Sequence, residues 1–256
     1  MNNVVLVTGS TSGIGLGIAR EFAKAGYAVS FHGLEKDGED TASAIARQYD
    51  VPFCFADHDL LRQDGVTKLV RDTEERLGPI DILVNNAAIQ HVSSIKDFDV
   101  MKWNDILDLN LTAAFRATQL VIPGMSKKKW GRIINIASVH GLVASAYKSA
   151  YVSAKHGLLG LTKVTALEGA EYGITANAIC PGYADTPLVQ KQIADQAKAH
   201  GLSEDEVIEK VMLIKQSIKK FVKPESIGAL CVFLASDHAE MITGAAIPVD
   251  GGWTAQ

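Results

Sequence analysis

The sequence predicts an α/β protein built on one doubly wound parallel sheet. Short β-branched runs alternate with longer helical stretches from one end of the chain to the other, and the runs are almost continuously apolar. Strands of that character are buried on both faces, as they are in a parallel sheet covered by helices. The first run leads directly into a glycine-rich turn that opens a helix.

Taken in order, Val4–Val7, Ala28–His32, Ile80–Val84, Ile133–Ile136, Ile174–Ile179 and Ile247–Val249 read as strands, and Gly15–Ala25, Asp64–Leu77 and Tyr151–Tyr172 as helices. No Pro/Gly/Ser-rich linker divides the 256 residues, so residues 1–256 are expected to form a single domain. The rhythm breaks from about Pro187 to Lys220, where two helical patterns follow each other without a strand. This insertion follows the C-terminal end of a strand, where open α/β sheets bind ligands, and predicts a helical lid near 187–220. An extra packing layer is the alternative.

Composition excludes several classes. A net charge of −4 gives no electrostatic reason to expect nucleic acid or an anionic membrane as partner. Cys54, Cys180 and Cys231 are far apart and odd in number, which suits buried thiols in a reducing compartment. The start of the chain lacks a basic segment followed by an apolar one, and no apolar run approaches the ~18 residues of a membrane span. A cytoplasmic protein is expected.

The turn Thr8-Gly9-Ser10-Thr11-Ser12-Gly13-Ile14-Gly15 stands between a strand and a helix. Glycines allow close backbone approach to a pyrophosphate, and the helix N-terminus offers amide donors and partial positive charge. This predicts a Rossmann-type dinucleotide site. An acidic residue usually ends the second strand of an NAD site, yet Gly33 stands where it is sought. The marks of an NADP site are also missing: Thr11 and Ser12 are not basic, Glu35 would repel a 2′-phosphate, and Lys36 reads as a surface charge. The balance favours NAD.

Tyr151 and Lys155 are spaced i, i+4, on one helix face. A tyrosine with its ordinary pKa of about 10 is a poor base at neutral pH. A neighbouring ammonium stabilises the phenolate, and a shift of ~2–3 units needs about 3–4 kcal/mol, within reach of one close cation in a partly dry site. Tyr151 could then take a proton from an alcohol as hydride leaves. Ser138, just past a strand end, could hydrogen-bond the reacting oxygen. The seven histidines show no metal-ligand spacing, and this chemistry needs no metal.

These motifs together resemble the short-chain dehydrogenase/reductase family, and the resemblance covers essentially the whole chain. The glycine turn has the family's GxxxGxG spacing, and Asn85-Asn86-Ala87-Ala88 resembles its NNAG segment with Ala88 in place of glycine. Asn110, Ser138, Tyr151 and Lys155 stand where the family has its four catalytic residues. The resemblance implies that Lys155 also holds the nicotinamide ribose and that Asn110 holds a water linking Lys155 to solvent. It implies cofactor contacts from Gly9, Thr11, Ser12, Gly13, Ile14, Gly15, Asn86, Tyr151 and Lys155, from Asp59 and Leu60 at the adenine, and from Pro181, Gly182 and Thr186 near the nicotinamide. A homotetramer is implied too, with the Tyr151 helix and its neighbour between subunits and the ending Asp250–Gln256 reaching toward a neighbour.

Around the centre lie Gln90, His140, Lys148 and Gln192. Together with Ser138 and Tyr151 they suit a small carboxylate, which accepts several charge-assisted hydrogen bonds. The set is similar to that of family members that oxidise (R)-3-hydroxybutyrate to acetoacetate with NAD. Lid closure would bring Gln192 to the carboxylate. Rival readings are a family member acting on sugars or on 3-oxoacyl thioesters, with Lys127-Lys128-Lys129 as a docking patch in a loop, and a catalytically silent NAD-binding sensor.

Overall fold

In the computed structural model, described for residues 3–255 except 188, 191, 192, 194–196 and 198–200, the strands run parallel in one sheet. They are β1 (Val4–Val7), β2 (Ala28–His32), β3 (Phe53–Ala56), β4 (Ile80–Asn85), β5 (Gly131–Ile136), β6 (Ile174–Pro181) and β7 (Ala246–Val249). Their order is β3-β2-β1-β4-β5-β6-β7. The chain leaves β1 toward β2 on one side and returns to pair β4 on the other. That reversal opens a crevice at the strands' C-terminal ends, where doubly wound sheets bind ligands.

The helices are α1 (Gly13–Lys24), α2 (Gly38–Tyr49), α3 (Gly65–Leu77), α4 (Val100–Leu107), α5 (Ala113–Lys128), α6 (Ser149–Gly169), α7 (Glu204–Val207) and α8 (Pro224–Ala235). Successive residues of β1 serve opposite faces, as the pleat requires. Val5 and Val7 pack with Ile18 and Phe22 of α1 and Ile227 and Leu234 of α8. Val4 and Leu6 pack with Leu69 of α3 and Val121 and Met125 of α5. Each large apolar side chain buried this way contributes roughly 1.5–3 kcal/mol before conformational entropy is counted. Among the described residues, no helix is long and apolar enough to cross a membrane.

Sequence reading missed β3 and α2. Strand β3 has four residues at the sheet edge, and its burial alternates instead of being complete, so it carries a weaker apolar signal. Lys127 and Lys128 close α5 rather than lying in a loop; Lys128 pairs with the buried Asp81, and the Lys129 ammonium lies 4.9 Å from the Tyr172 ring centroid. Within 187–220, α7 begins with a capping box: Ser203 Oγ accepts from the Glu206 amide and Glu206 accepts from the Ser203 amide. A π-helical turn, Ile208–Met212, follows. Ile193, Val207 and Met212 form a small core of their own beside Tyr183 and Phe221.

Candidate active site

The glycine turn closes the crevice from the β1 side. A Cβ on Gly15 would lie 2.0 Å from the carbonyl oxygen of Gly9, so only glycine lets α1 start this close to the strand end. Ser12, the N-cap of α1, makes no side-chain cap and the first turn holds no acidic residue, which suits an amide-lined anion cradle. Asn86 braces the turn: its Nδ2 donates to the carbonyls of Thr8 and Gly9, both at 2.9 Å, and its amide donates to Thr8 Oγ1. From the other side, Thr186 reaches over the turn, its Cγ2 standing 3.4 Å from where a Gly13 Cβ would be. Pro181 ends β6, and Gly182 lines the neighbouring cavity. Leu60 is buried, and Asp59 Oδ1 accepts from the Leu61 amide at 3.0 Å, fixing the loop after β3. The cradle therefore fits a dinucleotide.

Next to the turn lies a cavity of about 200 Å³, lined by Gln90, Ser138, His140, Lys148 and Tyr151, together with Ile14, Tyr183, Val189 and Trp253. Five of the six proposed substrate contacts thus meet in one cavity; Gln192 lies outside the described residues. Lys148 is the N-cap of α6, one position before the helix. His140 is buried in a 3-10 turn, where Ser138 Oγ accepts its amide at 3.1 Å. Its Nε2 lies 2.9 Å from Ser145 Oγ. Desolvation, reinforced by Lys148 and Lys215, lowers the His140 pKa to about 4, so the imidazole is neutral at physiological pH. Desolvation and then Lys215 also push Lys148 down.

Tyr183 and Trp253 were not foreseen. Their rings stack at 5.9 Å, and Trp253 also meets His140 edge to face at 5.6 Å. The Lys215 ammonium lies 5.4 Å from the Trp253 ring centroid. Trp253 thus lines its own chain's cavity. The aromatic side chains at 183 and 253 were visible in the sequence, but they are seventy positions apart, and only the pairing of β6 with β7 brings them together.

Tyr151 and Lys155 project from α6, with the lysine Nζ 5.6 Å from the tyrosine ring centroid. Lys155 is buried and its ammonium donates to the Ile136 carbonyl at 2.7 Å. Desolvation lowers its pKa to about 8, opposed by Cys180. Desolvation raises the Tyr151 pKa, opposed by a hydrogen bond with Ser138. The expected depression of the tyrosine by Lys155 is therefore not achieved by these side chains alone, because the ammonium faces a carbonyl while the tyrosine is partly desolvated. Asn110 sits in a π-helical turn, Asp108–Thr112, and its side chain makes two bonds: Oδ1 accepts the Ile89 amide and Nδ2 donates to the Ile89 carbonyl, both at 2.9 Å. It pins the strand exit beside Gln90 and also borders a space it shares with Lys155. A cavity of about 10 Å³ lined by Asn110, Lys155, Thr8 and Asn85 lies between them, near the lower limit for one water.

A dinucleotide cradle beside a buried Tyr–Lys–Ser centre defines a nicotinamide-dependent oxidoreductase. A family model described as enoyl-(acyl carrier protein) reductase matches residues 9–254. The chain is 48% identical to a D-beta-hydroxybutyrate dehydrogenase of Rhizobium meliloti (strain 1021), over 258 residues and 100% of both chains. It is 48% identical to another of that name from Cupriavidus necator, covering 98% of this chain and 97% of that one. A solved structure of an actinorhodin polyketide ketoreductase mutant with NADPH is 33% identical, with a TM-score of 0.91 over 98% of this chain and 97% of that one. The chain belongs to the short-chain dehydrogenase/reductase family and is an oxidoreductase.

Proposed function

We propose that the protein is an NAD-dependent D-3-hydroxybutyrate dehydrogenase, interconverting (R)-3-hydroxybutyrate and acetoacetate. The observation that carries this reading is the gathering of Lys148, neutral His140, Gln90 and Ser138 around Tyr151 in one cavity with an aromatic wall. A short acid would place its carboxylate on the Lys148 ammonium, with hydrogen bonds from His140 and Gln90, and its alkyl part on Trp253 and Tyr183. The names of the 48%-identical relatives point the same way.

The bound dinucleotide would supply the hydride acceptor and, in its oxidised form, a positive charge beside Tyr151. Tyr151 takes the hydroxyl proton, Ser138 holds the reacting oxygen, and Lys155 fixes the ribose while its lowered pKa suits proton exchange through the small cavity by Asn110. Thr11, Ser12, Gly13, Ile14 and Gly15 hold the phosphates, and Asp59 and Leu60 meet the adenine. Support for NAD over NADP comes from Glu35, which accepts hydrogen bonds from Thr11 and Ser12. Burial alone would raise its pKa, but these bonds hold it below the usual carboxylate range, so a negative charge borders the turn. The segment 187–220 acts as a lid, Gln192 joining the carboxylate on closure. The protein works in the cytoplasm as a homotetramer, with α5 and α6 between copies; exposed Phe115, Val164 and Leu167 on these helices support that packing.

The test is to follow reduced-cofactor absorbance with (R)- and (S)-3-hydroxybutyrate and with NAD and NADP. Reduction confined to the (R) acid and NAD is expected. Turnover of acetoacetyl thioesters with NADPH, and none of the free acids, would replace the carboxylate reading with the reductase one.

A further inference from the structure

Strand β2 ends in a histidine whose ring nitrogens both have partners. His32 is buried; its Nδ1 accepts the Gly9 amide at 3.0 Å, and its Nε2 lies 2.8 Å from the His58 carbonyl oxygen. An amide N–H can only donate and a carbonyl can only accept, so the ring is neutral and carries its proton on Nε2. The backbone of the same residue is also tied to the turn: the Ser10 amide donates to the His32 carbonyl at 2.6 Å, and the His32 amide donates to Ser10 Oγ at 2.9 Å.

One side chain therefore joins two segments that follow different strands. Gly9 belongs to the turn after β1, with φ +63°. His58 belongs to the loop after β3, immediately before Asp59 and Leu60, and its own ring is held by Asp72 of α3 at 2.7 Å. We propose that His32 is a positioning residue of the dinucleotide site: its neutral Nε2–H imidazole sets the spacing between the phosphate turn and the adenine-side loop, so that cofactor affinity depends on it. The proposal rests on the glycine turn being a dinucleotide cradle, and not on the identity of the substrate.

Charge around the ring is consistent with that role. Burial lowers the His32 pKa; the hydrogen bond to the His58 backbone opposes this, repulsion from the His58 ring adds to it, and Glu35 and Asp57 oppose it again. A protonated ring would turn an N–H against the Gly9 N–H and break the link on the phosphate side.

The experiment uses the full-length protein with NADH as probe, titrated by fluorescence at pH 7.5, and histidine-labelled protein for nitrogen NMR. Wild type is expected to show His32 protonated on Nε2 and bare on Nδ1. His32→Phe keeps a ring but leaves the Gly9 amide without its acceptor, and should weaken NADH binding at least about tenfold. His32→Asn places an amide oxygen near the Nδ1 position but does not reach the His58 carbonyl, and should recover only part of that loss. A His32 that only fills space would lower the melting temperature of both variants and leave NADH affinity unchanged, which overturns the proposal. So would a ring protonated on Nδ1. If His32→Phe fails to fold, the tautomer and the His32→Asn titration decide: the Nδ1–H form, or an NADH affinity in His32→Asn equal to wild type, refutes it. Failure of wild type to bind NADH would overturn the cradle reading first and this one with it.

Discussion

Gly33 and Thr11 stand so close that a Cβ built on residue 33 would lie 1.9 Å from the threonine hydroxyl oxygen. An aspartate at the end of β2 would therefore require the Thr11 side chain to shift. The acidic charge comes two residues later, where Glu35 accepts hydrogen bonds from Thr11 and Ser12.

This geometry predicts how cofactor preference will respond. Glu35→Gln keeps an acceptor but removes the charge, and should raise the NADP-to-NAD ratio of kcat/KM by about tenfold or more. Gly33→Asp should weaken NAD use instead of improving it, because the new side chain collides with Thr11. A Glu35→Gln ratio equal to wild type would remove Glu35 from cofactor selection.

Tyr151→Phe deletes the proton acceptor while preserving the ring. Turnover should fall by about 10³-fold, within the range of general acid–base contributions, with NADH binding nearly unchanged. Activity near wild type would show that another group takes the proton.

Lys148→Met should raise KM for acetoacetate by roughly 10–100-fold, the effect of losing a hydrogen bond to a charged group. Its effect on methyl acetoacetate, which lacks the charge, should be small. Equal losses on acid and ester would mean that Lys148 shapes the cavity without meeting a carboxylate. Since burial disfavours its charge, the variant should melt no lower than wild type.

His140 links stability to pH. Its folded-state pKa of about 4 lies below the ordinary 6.5, so the folded state binds this proton less readily than the unfolded chain. Its contribution is fully present above about pH 6.5 and is lost as pH falls toward 4. Melting temperatures across that window should fall less steeply for His140→Gln than for wild type. Identical slopes would show that the imidazole titrates normally.

Much of this could be read from residue order alone, because it depends on local pattern. Apolar runs such as Val4–Val7 identify strands through periodicity, the turn Gly9–Gly15 announces its use through spacing, and Tyr151 and Lys155 are neighbours on any helix. Strand β3 escaped because an edge strand is half-covered and loses the continuous apolar signal.

By itself, the sequence determined the fold class, the glycine turn and the spacing of Tyr151 and Lys155, since each follows from short-range pattern, while family resemblance pointed to the residues that line the cavity. Only the tertiary structure decided which groups lie far apart in the chain but touch in space: Trp253 on Tyr183 and His140, Asn110 spent on Ile89, and His32 joining Gly9 to His58. It also decided the protonation of His140 and Lys155, because desolvation depends on the atoms that surround a group after folding and not on its neighbours in sequence.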